Sequence, residues 1–182
     1  GRLLLGDFDA FLGVFKNFIR AHVAMYAALK AADTVDADGD GIAAEVGLTL
    51  SVAAWTPARD NAPSDHPDDI AAAARMAYVY HEIFPAAVHE GVWDADIDQV
   101  AEEDHPDWAG TLDWLGVQYY FRTGVTAEPA TIPTVEATIC FGGFDFGACL
   151  PPADDSHHVP TMDYEYWEPG AFDTLKALSD RF

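Results

Sequence analysis

Two nearly continuous apolar segments constrain the fold of this chain more than any other feature. They are "EVGLTLSVAAWTP" at residues 45–57 and "LDWLGVQYY" at residues 112–120. Such runs, bounded by glycine-rich turns or stopped by Pro57, are typical of strands buried on both faces, as in parallel sheets. Long amphipathic helical patterns at residues 7–33 and 68–91 alternate with them. The alternation predicts an α/β fold with a parallel sheet.

The two strands cannot form the whole sheet. Each would leave an unpaired edge, and so much apolar strand surface needs neighbouring strands. Residues 1–182 are therefore interpreted as a single partial domain, a middle segment of a larger barrel. Within it, residues 33–47 form an acidic, glycine-rich loop, and residues 121–168 form a long loop excursion rich in glycine and proline. We expect that this segment does not fold stably by itself.

The charge of the chain limits its partners. Acidic residues outnumber basic ones by 31 to 9, giving a net charge of −22. Such a surface repels nucleic acid and anionic membranes, so we expect no nucleic-acid partner. No apolar run approaches the roughly 20 residues of a membrane-spanning helix, which predicts no membrane insertion. The acidic bias fits either a halophilic or an exported protein.

The only two cysteines, Cys140 and Cys149, lie in "CFGGFDFGAC". A lone pair at this spacing, with glycines between, favours a small disulfide loop in a protein outside the cytoplasm. The alternative is a pair of buried free thiols. The sequence therefore favours an extracellular or periplasmic location over a cytoplasmic one.

The loop "DTVDADGDGIAAEVG" resembles the start of a calcium-binding loop. Asp36, Asp38 and Asp40 occupy alternate positions and a glycine follows, while Ile42 would supply a backbone carbonyl. The bidentate glutamate that ends such loops is absent, because Gly47 stands in its place. The pattern predicts a non-standard structural calcium site, and a solvated acidic turn is the alternative.

The segment "LDWLGVQYYFRTGV" resembles the sixth barrel strand of the family 1 glycoside hydrolases, the β-glucosidase family, which carries "DFIGINYY". Four other segments resemble parts of this family in the same order. They are "NFIRAHVAMYAAL", "EVGLTLSVAAWTPA", "DDIAAAARMAYVYHEIFPAAVHEGVWD" and "TMDYEYWEPGAFDTLKALSDRF". The resemblance implies a portion of a (β/α)8 TIM barrel, about strands five and six with flanking helices. The active site of such a barrel lies at the carboxyl ends of the strands.

The resemblance also implies roles for individual residues. Tyr120 corresponds to the tyrosine that orients the catalytic nucleophile in this family. Gln118 stands where the family has an asparagine, and Ser51 replaces an asparagine on the fifth strand; both are candidate substrate-binding residues. Trp55 is a third candidate near the sugar, although an aromatic residue at a strand end is equally typical of a core.

Retaining glycosidases need two carboxylates about 5 Å apart, one nucleophile and one acid/base. In this family they lie in "NEP" and in "TENG" or "TESG" motifs, and neither motif occurs here. Glu168 in "YWEPG" matches a different family segment and is assigned no catalysis. We therefore expect a segment of a retaining β-glycosidase that hydrolyses β-linked O-glycosides without a cofactor. The chain alone would be inactive.

Two other interpretations stay open. The first is a non-catalytic barrel fragment that binds structural calcium or sugar. The second is an unrelated α/β fold in which the match to the family is fortuitous.

Overall fold

The computed structural model describes residues 6–141, 143–162 and 164–182. Residues 1–5 of the predicted domain, Gly142 of the cysteine loop and Asp163 of the excursion lie outside the described residues. The helices are α1 (Phe8–Ala32), α2 (Pro67–Ala77), a π-helical turn (Tyr78–Glu82), α3 (Ile83–Glu90), a 3-10 turn (Pro133–Val135) and α4 (Glu168–Arg181). The strands are β1 (Gly47–Arg59), β2 (Ala62–Pro63), β3 (Val92–Trp93), β4 (Glu103–Asp104), β5 (Trp114–Thr126), β6 (Thr138–Ile139), β7 (His157–Val159) and β8 (Tyr164–Tyr166).

The two long strands, β1 and β5, pair in parallel. Their register runs from Gly47 opposite Trp114 to Pro57 opposite Val125, with one irregularity after Val52. Parallel strands need a long crossover connection, and α2, the π-helical turn and α3 provide it. The predicted α/β arrangement with a parallel sheet is thus confirmed.

Strand β1 continues beyond Pro57, where the sequence predicted that it would stop. The backbone carbonyl of Pro57 accepts a hydrogen bond from the Ser64 amide at 3.0 Å. Strand β2 pairs antiparallel with the last two residues of β1. Proline lacks an amide proton, but it is tolerated in a strand whose edge needs no donor at that position. The proline therefore lies inside the strand instead of ending it.

Strand β5 also continues beyond its predicted end at Tyr120. It reaches Thr126, so the first six residues of the predicted excursion are strand. The antiparallel partners β6 and β8, which both come from the excursion, hold this extension in the sheet. Strand β7 then pairs with β8, and the sheet has the order β2-β1-β5-β8-β7. The excursion thus contributes sheet edges as well as loop.

The crossover helix, predicted as continuous, is divided by the π-helical turn. Pro85 lies two residues into α3, and it has no amide proton to donate to the carbonyl of His81. The amide of Ile83 instead donates to the carbonyl of Tyr78, one residue further back than in an α-helix. An inserted residue of this kind is a common way for a helix to accommodate a break in its hydrogen bonding.

The core lies between α1, the crossover helices and the loops that follow them. On α1, the Phe15 ring lies 6.0 Å from Phe84 and 5.9 Å from the buried Trp93. His22, also on α1, is buried, and its Nε2 lies 2.6 Å from the carbonyl oxygen of Thr111. His22 is thus a core histidine whose ring is hydrogen-bonded to the backbone.

Much apolar surface remains exposed in the described part of the chain. One stripe on α1 carries exposed apolar side chains at helical spacing. Its members are Val14, Phe18, Met25 and Leu29. The edge of β1 that faces away from β5 is paired only at Ala58 and Arg59 among the described residues. Exposed apolar stripes and open strand edges favour association with other polypeptide.

We predict that the isolated 182-residue chain shows no cooperative thermal transition, because this apolar surface and strand edge have no cover. Differential scanning calorimetry with near-ultraviolet circular dichroism tests this. The expected result is aggregation or a broad, weak transition without fixed aromatic signals. A single sharp transition with strong near-ultraviolet signals would contradict the prediction.

Candidate functional site

Gln118 and Tyr120 lie side by side on one face of β5. The Tyr120 hydroxyl donates a hydrogen bond to Oε1 of Gln118 at 3.1 Å, and the tyrosine is 37% exposed. Ser51 of β1 is the parallel partner of Gln118, so these two residues share the same face of the sheet. The structure therefore brings three of the four predicted substrate-site residues together.

A β-bulge determines where Tyr120 lies. Val52 pairs with Tyr119 and Ala53 pairs with Phe121, so Tyr120 is an extra residue on β5 without a partner on β1. Bulges are common next to functional sites, where they redirect a side chain. Tyr120 is thus presented in mid-strand by a bulge and not at a strand end.

Tyr119 has a different role from its neighbour because it faces α4. Its hydroxyl donates to the carbonyl oxygen of Trp167 at 2.8 Å. A Cβ atom on Gly170 would lie 2.5 Å from this hydroxyl and 2.7 Å from the Ala54 methyl, so the contact requires glycine. Burial, together with the charge of Glu165, raises the pKa of Tyr119. This tyrosine anchors α4 to the sheet.

Trp55 contacts the crossover helices. Its indole Nε1 donates to Nε2 of His81 at 3.2 Å, and its ring lies 5.2 Å from that of Tyr80. His81 is 6% exposed, and burial lowers its pKa to about 4. Among the described contacts, Trp55 is therefore linked to the π-helical turn.

An ion pair between Arg122 and Glu165 joins the excursion to β5. The guanidinium Nε lies 2.8 Å from the carboxylate, and both side chains are nearly buried. Arg122 also donates to the carbonyl of Pro151 at 2.9 Å and lies 5.0 Å from the Trp167 ring. Burial opposes ionisation of Glu165, but hydrogen bonds, including one from the Ala153 amide, outweigh it and lower the pKa. No local sequence pattern indicates this pair, because its members are 43 residues apart in the chain.

Asp69 forms a second buried polar centre, at the carboxyl ends of β1 and β5. It is 0% exposed, and its carboxylate accepts hydrogen bonds from Nε and Nη2 of Arg59 at 2.8 and 3.0 Å. It also accepts from the hydroxyls of Ser64 and Thr126 and from the amide of Ala127. Burial opposes its ionisation, but these donors outweigh it and lower the pKa of Asp69 far below the ordinary range. Asp69 lies in the first turn of α2, and its donors from Thr126 and Ala127 are too distant in the chain to be indicated by a local sequence pattern.

A disulfide joins Cys140 and Cys149, with 4.9 Å between their Cα atoms. The loop it closes lies at the carboxyl ends of the two parallel strands. The amide of Cys140 donates to the carbonyl oxygen of Gly124. The amide of Cys149 donates to the side-chain oxygen of Asn61, and the side-chain nitrogen of Asn61 donates to the carboxylate of Asp145. A Cβ atom on Gly124 would lie 1.8 Å from the carbonyl of Ala148, so glycine is needed for this close approach.

The predicted calcium ligands lie at the opposite, amino end of β1. Carboxylate oxygens of Asp36, Asp38 and Asp40 lie within 4.8 Å of one another and are exposed. Asp36 accepts the amides of Gly39 and Gly41, whose hydrogen bonds lower its pKa. The Ile42 amide donates to Asp40 at 2.8 Å. These internal hydrogen bonds organise the loop from its own backbone.

A second acidic cluster was missed, although its alternating acids in "WDADID" repeat the same pattern. Its members are Asp94, Asp96, Asp98 and Glu102. Asp94 is buried and accepts the amides of Ile97 and Gln99 at 2.6 and 2.7 Å, and the hydroxyl of Tyr78 at 2.7 Å. Asp94 therefore holds its loop against the crossover helices.

The fold and this arrangement define the chain as a portion of a (β/α)8 barrel with helices on one face of its sheet. No family model matches the sequence. The sequence is 29% identical over 163 residues to a β-galactosidase from Pyrococcus woesei, covering 87% of this chain and 31% of that protein.

Solved structures agree on the fold. A β-glycosidase from Pyrococcus horikoshii has a TM-score of 0.64 at 19% identity, over 95% of this chain and 33% of that one. A family 1 β-glucosidase from Thermotoga maritima has a TM-score of 0.60 at 18% identity, over 91% of this chain and 33% of that one. The chain thus spans about a third of the length of the relatives it matches.

The predicted resemblance to an internal segment of the family 1 glycoside hydrolases is confirmed by these comparisons. The predicted fold class, a portion of a TIM barrel, is confirmed as well. The alternative of an unrelated α/β fold is wrong. Among the described residues, none of the helices is long and apolar enough to span a membrane.

We predict that Asp69→Asn destabilises the intact protein, meaning the polypeptide as its source produces it, by about 3 kcal/mol. Asparagine offers one acceptor oxygen where Asp69 offers two, so buried donors such as the Thr126 hydroxyl and the Ala127 amide compete for it and at least one loses its partner. Asp68→Asn is the matched control, because this neighbouring side chain is 70% exposed and its change should cost less than about 0.5 kcal/mol.

The dependence of thermal stability on pH gives a second test of the role of Asp69. Since folding lowers the pKa of Asp69, its contribution is fully present above the ordinary aspartate pKa of about 3.9 and is lost as the pH falls below it. The difference in Tm between the Asp69→Asn variant and the unsubstituted protein should therefore shrink in strong acid. Equal Tm values for the two aspartate variants at neutral pH would contradict this account.

Proposed function

We propose that this chain is an internal segment of a retaining β-glycosidase that hydrolyses β-linked O-glycosides. It would supply the fifth and sixth barrel strands, β1 and β5. One observation carries the proposal: Tyr120 and Gln118, the residues matched to the family's sugar site, share one exposed face of the sheet and a hydrogen bond. The similarity to β-glycosidases over most of the chain supports it.

The reaction would need two carboxylates supplied from outside this chain. The nucleophile attacks the anomeric carbon while the acid protonates the glycosidic oxygen, so the aglycone leaves and a glycosyl-enzyme forms. The residue that acted as the acid then acts as a base and takes a proton from water. The water oxygen attacks the anomeric carbon and releases the nucleophile. Because neither motif occurs in the sequence, the chain alone would be inactive.

Tyr120 would turn its hydroxyl from Oε1 of Gln118 and donate this hydrogen bond to the nucleophile carboxylate. Such a bond fixes the direction of the carboxylate and favours its ionised form, which is the form that attacks. Gln118 presents an amide on the same face, with both donor and acceptor groups for sugar hydroxyls. Ser51, its partner across the strands, adds a hydroxyl beside it.

Trp55 would contribute less directly. Its indole N–H is already donated to His81, so a sugar contact would use only the exposed part of its ring. Trp55 therefore remains a predicted contact, secondary to Gln118 and Ser51.

The second candidate function is a non-catalytic barrel fragment that binds calcium or sugar. The convergence of the Asp36, Asp38 and Asp40 carboxylates favours the calcium part. This site would be structural, because it lies at the amino end of β1, far from the carboxyl ends where barrel enzymes act.

We also propose an extracellular or periplasmic location. The disulfide between Cys140 and Cys149 supports it, since disulfides persist in oxidising compartments. The proposed partner in that location is a carbohydrate β-glycoside.

We predict that Tyr120→Phe lowers kcat of the intact protein on 4-nitrophenyl β-D-glucoside by about 10- to 100-fold. A hydrogen bond to a charged group is worth about 1.5–3 kcal/mol, which corresponds to that range. Tyr26→Phe is the control, because this tyrosine also donates to a carboxylate, Asp113, but at the amino end of the barrel. Equal kcat values for the two variants would rule out the proposed role of Tyr120.

Calcium binding is tested by isothermal titration of the intact protein with calcium chloride. If the loop is a calcium site, Asp38→Asn removes one binding event, while Asp155→Asn, at an exposed acid in the excursion, leaves it unchanged. If no binding heat is measured, or if the heats of the two variants are identical, the loop is a solvated acidic turn and not a calcium site.

A further inference from the structure

We infer that His81 is a positioning residue for Tyr120: the buried imidazole holds the β1 side of the bulge that presents this tyrosine. The inference deepens the proposed function and rests on it for the catalytic role of Tyr120. The geometry that carries it is independent of that role.

The backbone of the bulge has a buried amide on its β1 side. Because Tyr120 is an extra residue, the strands change register between Val52 and Ala53. Ala53 is 1% exposed, and its amide donates to Nε2 of His81 at 3.2 Å. A buried amide needs an acceptor, and here a side chain from the crossover helix provides it.

The protonation state of His81 follows from the two donors that it accepts. Its Nε2 accepts from both the Ala53 amide and the Trp55 indole, so this nitrogen carries no proton and the proton of the neutral ring lies on Nδ1. Burial favours this neutral form. Glu82 and Asp173, the other titratable groups around the same cavity, make no described hydrogen bond to the imidazole.

The π-helical turn sets the direction of the His81 side chain. One inserted residue rotates the following helix by about 100°, and it lets His81 face β1 directly beside the bulge. The crossover helix and β5 therefore each contain one extra residue, and Nε2 of His81 binds the facing strand, β1, beside the bulge. Trp55, which the sequence indicated as a sugar contact, is the second donor to that atom.

The first test does not require activity. Hydrogen–deuterium exchange of the intact protein is compared among His81→Leu, His81→Gln and the control His89→Leu, whose histidine lies on the exposed side of α3. Leucine removes the acceptor, so amide exchange should accelerate at least tenfold in the peptide that contains Ala53 and in the peptide that contains Tyr120. Glutamine keeps an acceptor oxygen and should restore protection. Unchanged exchange in His81→Leu, or equal acceleration in His89→Leu, would overturn the inference.

A double-mutant cycle on 4-nitrophenyl β-D-glucoside tests the link to Tyr120. His81→Leu should lower kcat at least tenfold with KM within about twofold, but it should add little in a protein that already carries Tyr120→Phe. Fully additive losses would mean that His81 acts only on stability. An intact protein that never hydrolyses the substrate would refute the proposed function, while the exchange result would still decide the role of His81.

If His81→Leu does not fold, a pH comparison decides. The pKa of His81 is lowered by folding, so the unfolded chain takes up a proton between about pH 6.5 and 4 and the folded protein loses stability as the pH falls through that window. Tm should fall less over this window in His81→Gln than in the unsubstituted protein, because Glu82 and Asp173 are the same in both. Equal falls would overturn the inference.

Discussion

The parallel pairing of β1 and β5 is the constraint on which the rest of this structure depends. It holds together two strands that are separated by more than fifty residues of chain, from Arg59 to Trp114. The crossover helices must return along one face of this pair, and α4 packs on the same face through Gly170. Ser51, Gln118 and Tyr120 then lie on the opposite face of the sheet, which these helices do not cover. The candidate site is therefore a consequence of strand register.

Buried polar contacts at the carboxyl ends complete this arrangement. Asp69 connects the ends of both strands to the start of α2, and the Arg122–Glu165 pair holds the excursion on β5. The disulfide loop closes over the same end. A buried charge is tolerable only when it is fully paired, so these contacts make the geometry of this end of the sheet specific.

The sequence predicted those features that depend on local pattern. Continuous apolar runs indicated parallel strands, and the motif around Gln118 and Tyr120 indicated the family and the site. The ends of the strands were wrong, because whether Pro57 stops a strand depends on which edge is paired. The bulge at Tyr120 depends on the relative register of two distant strands. The acceptor role of His81 depends on that bulge and on a π-helical turn, so no local pattern contains it.

The most direct test of the central claim is intact-mass spectrometry of the protein from its source, before and after incubation with a 2-deoxy-2-fluoro-β-glucoside bearing a good leaving group. The account predicts a mass well above the 19.7 kDa of this chain. It also predicts a gain of one fluoroglucosyl group, on a peptide outside residues 1–182. A mass of 19.7 kDa with no gain, or an adduct on a residue of this chain, would contradict it.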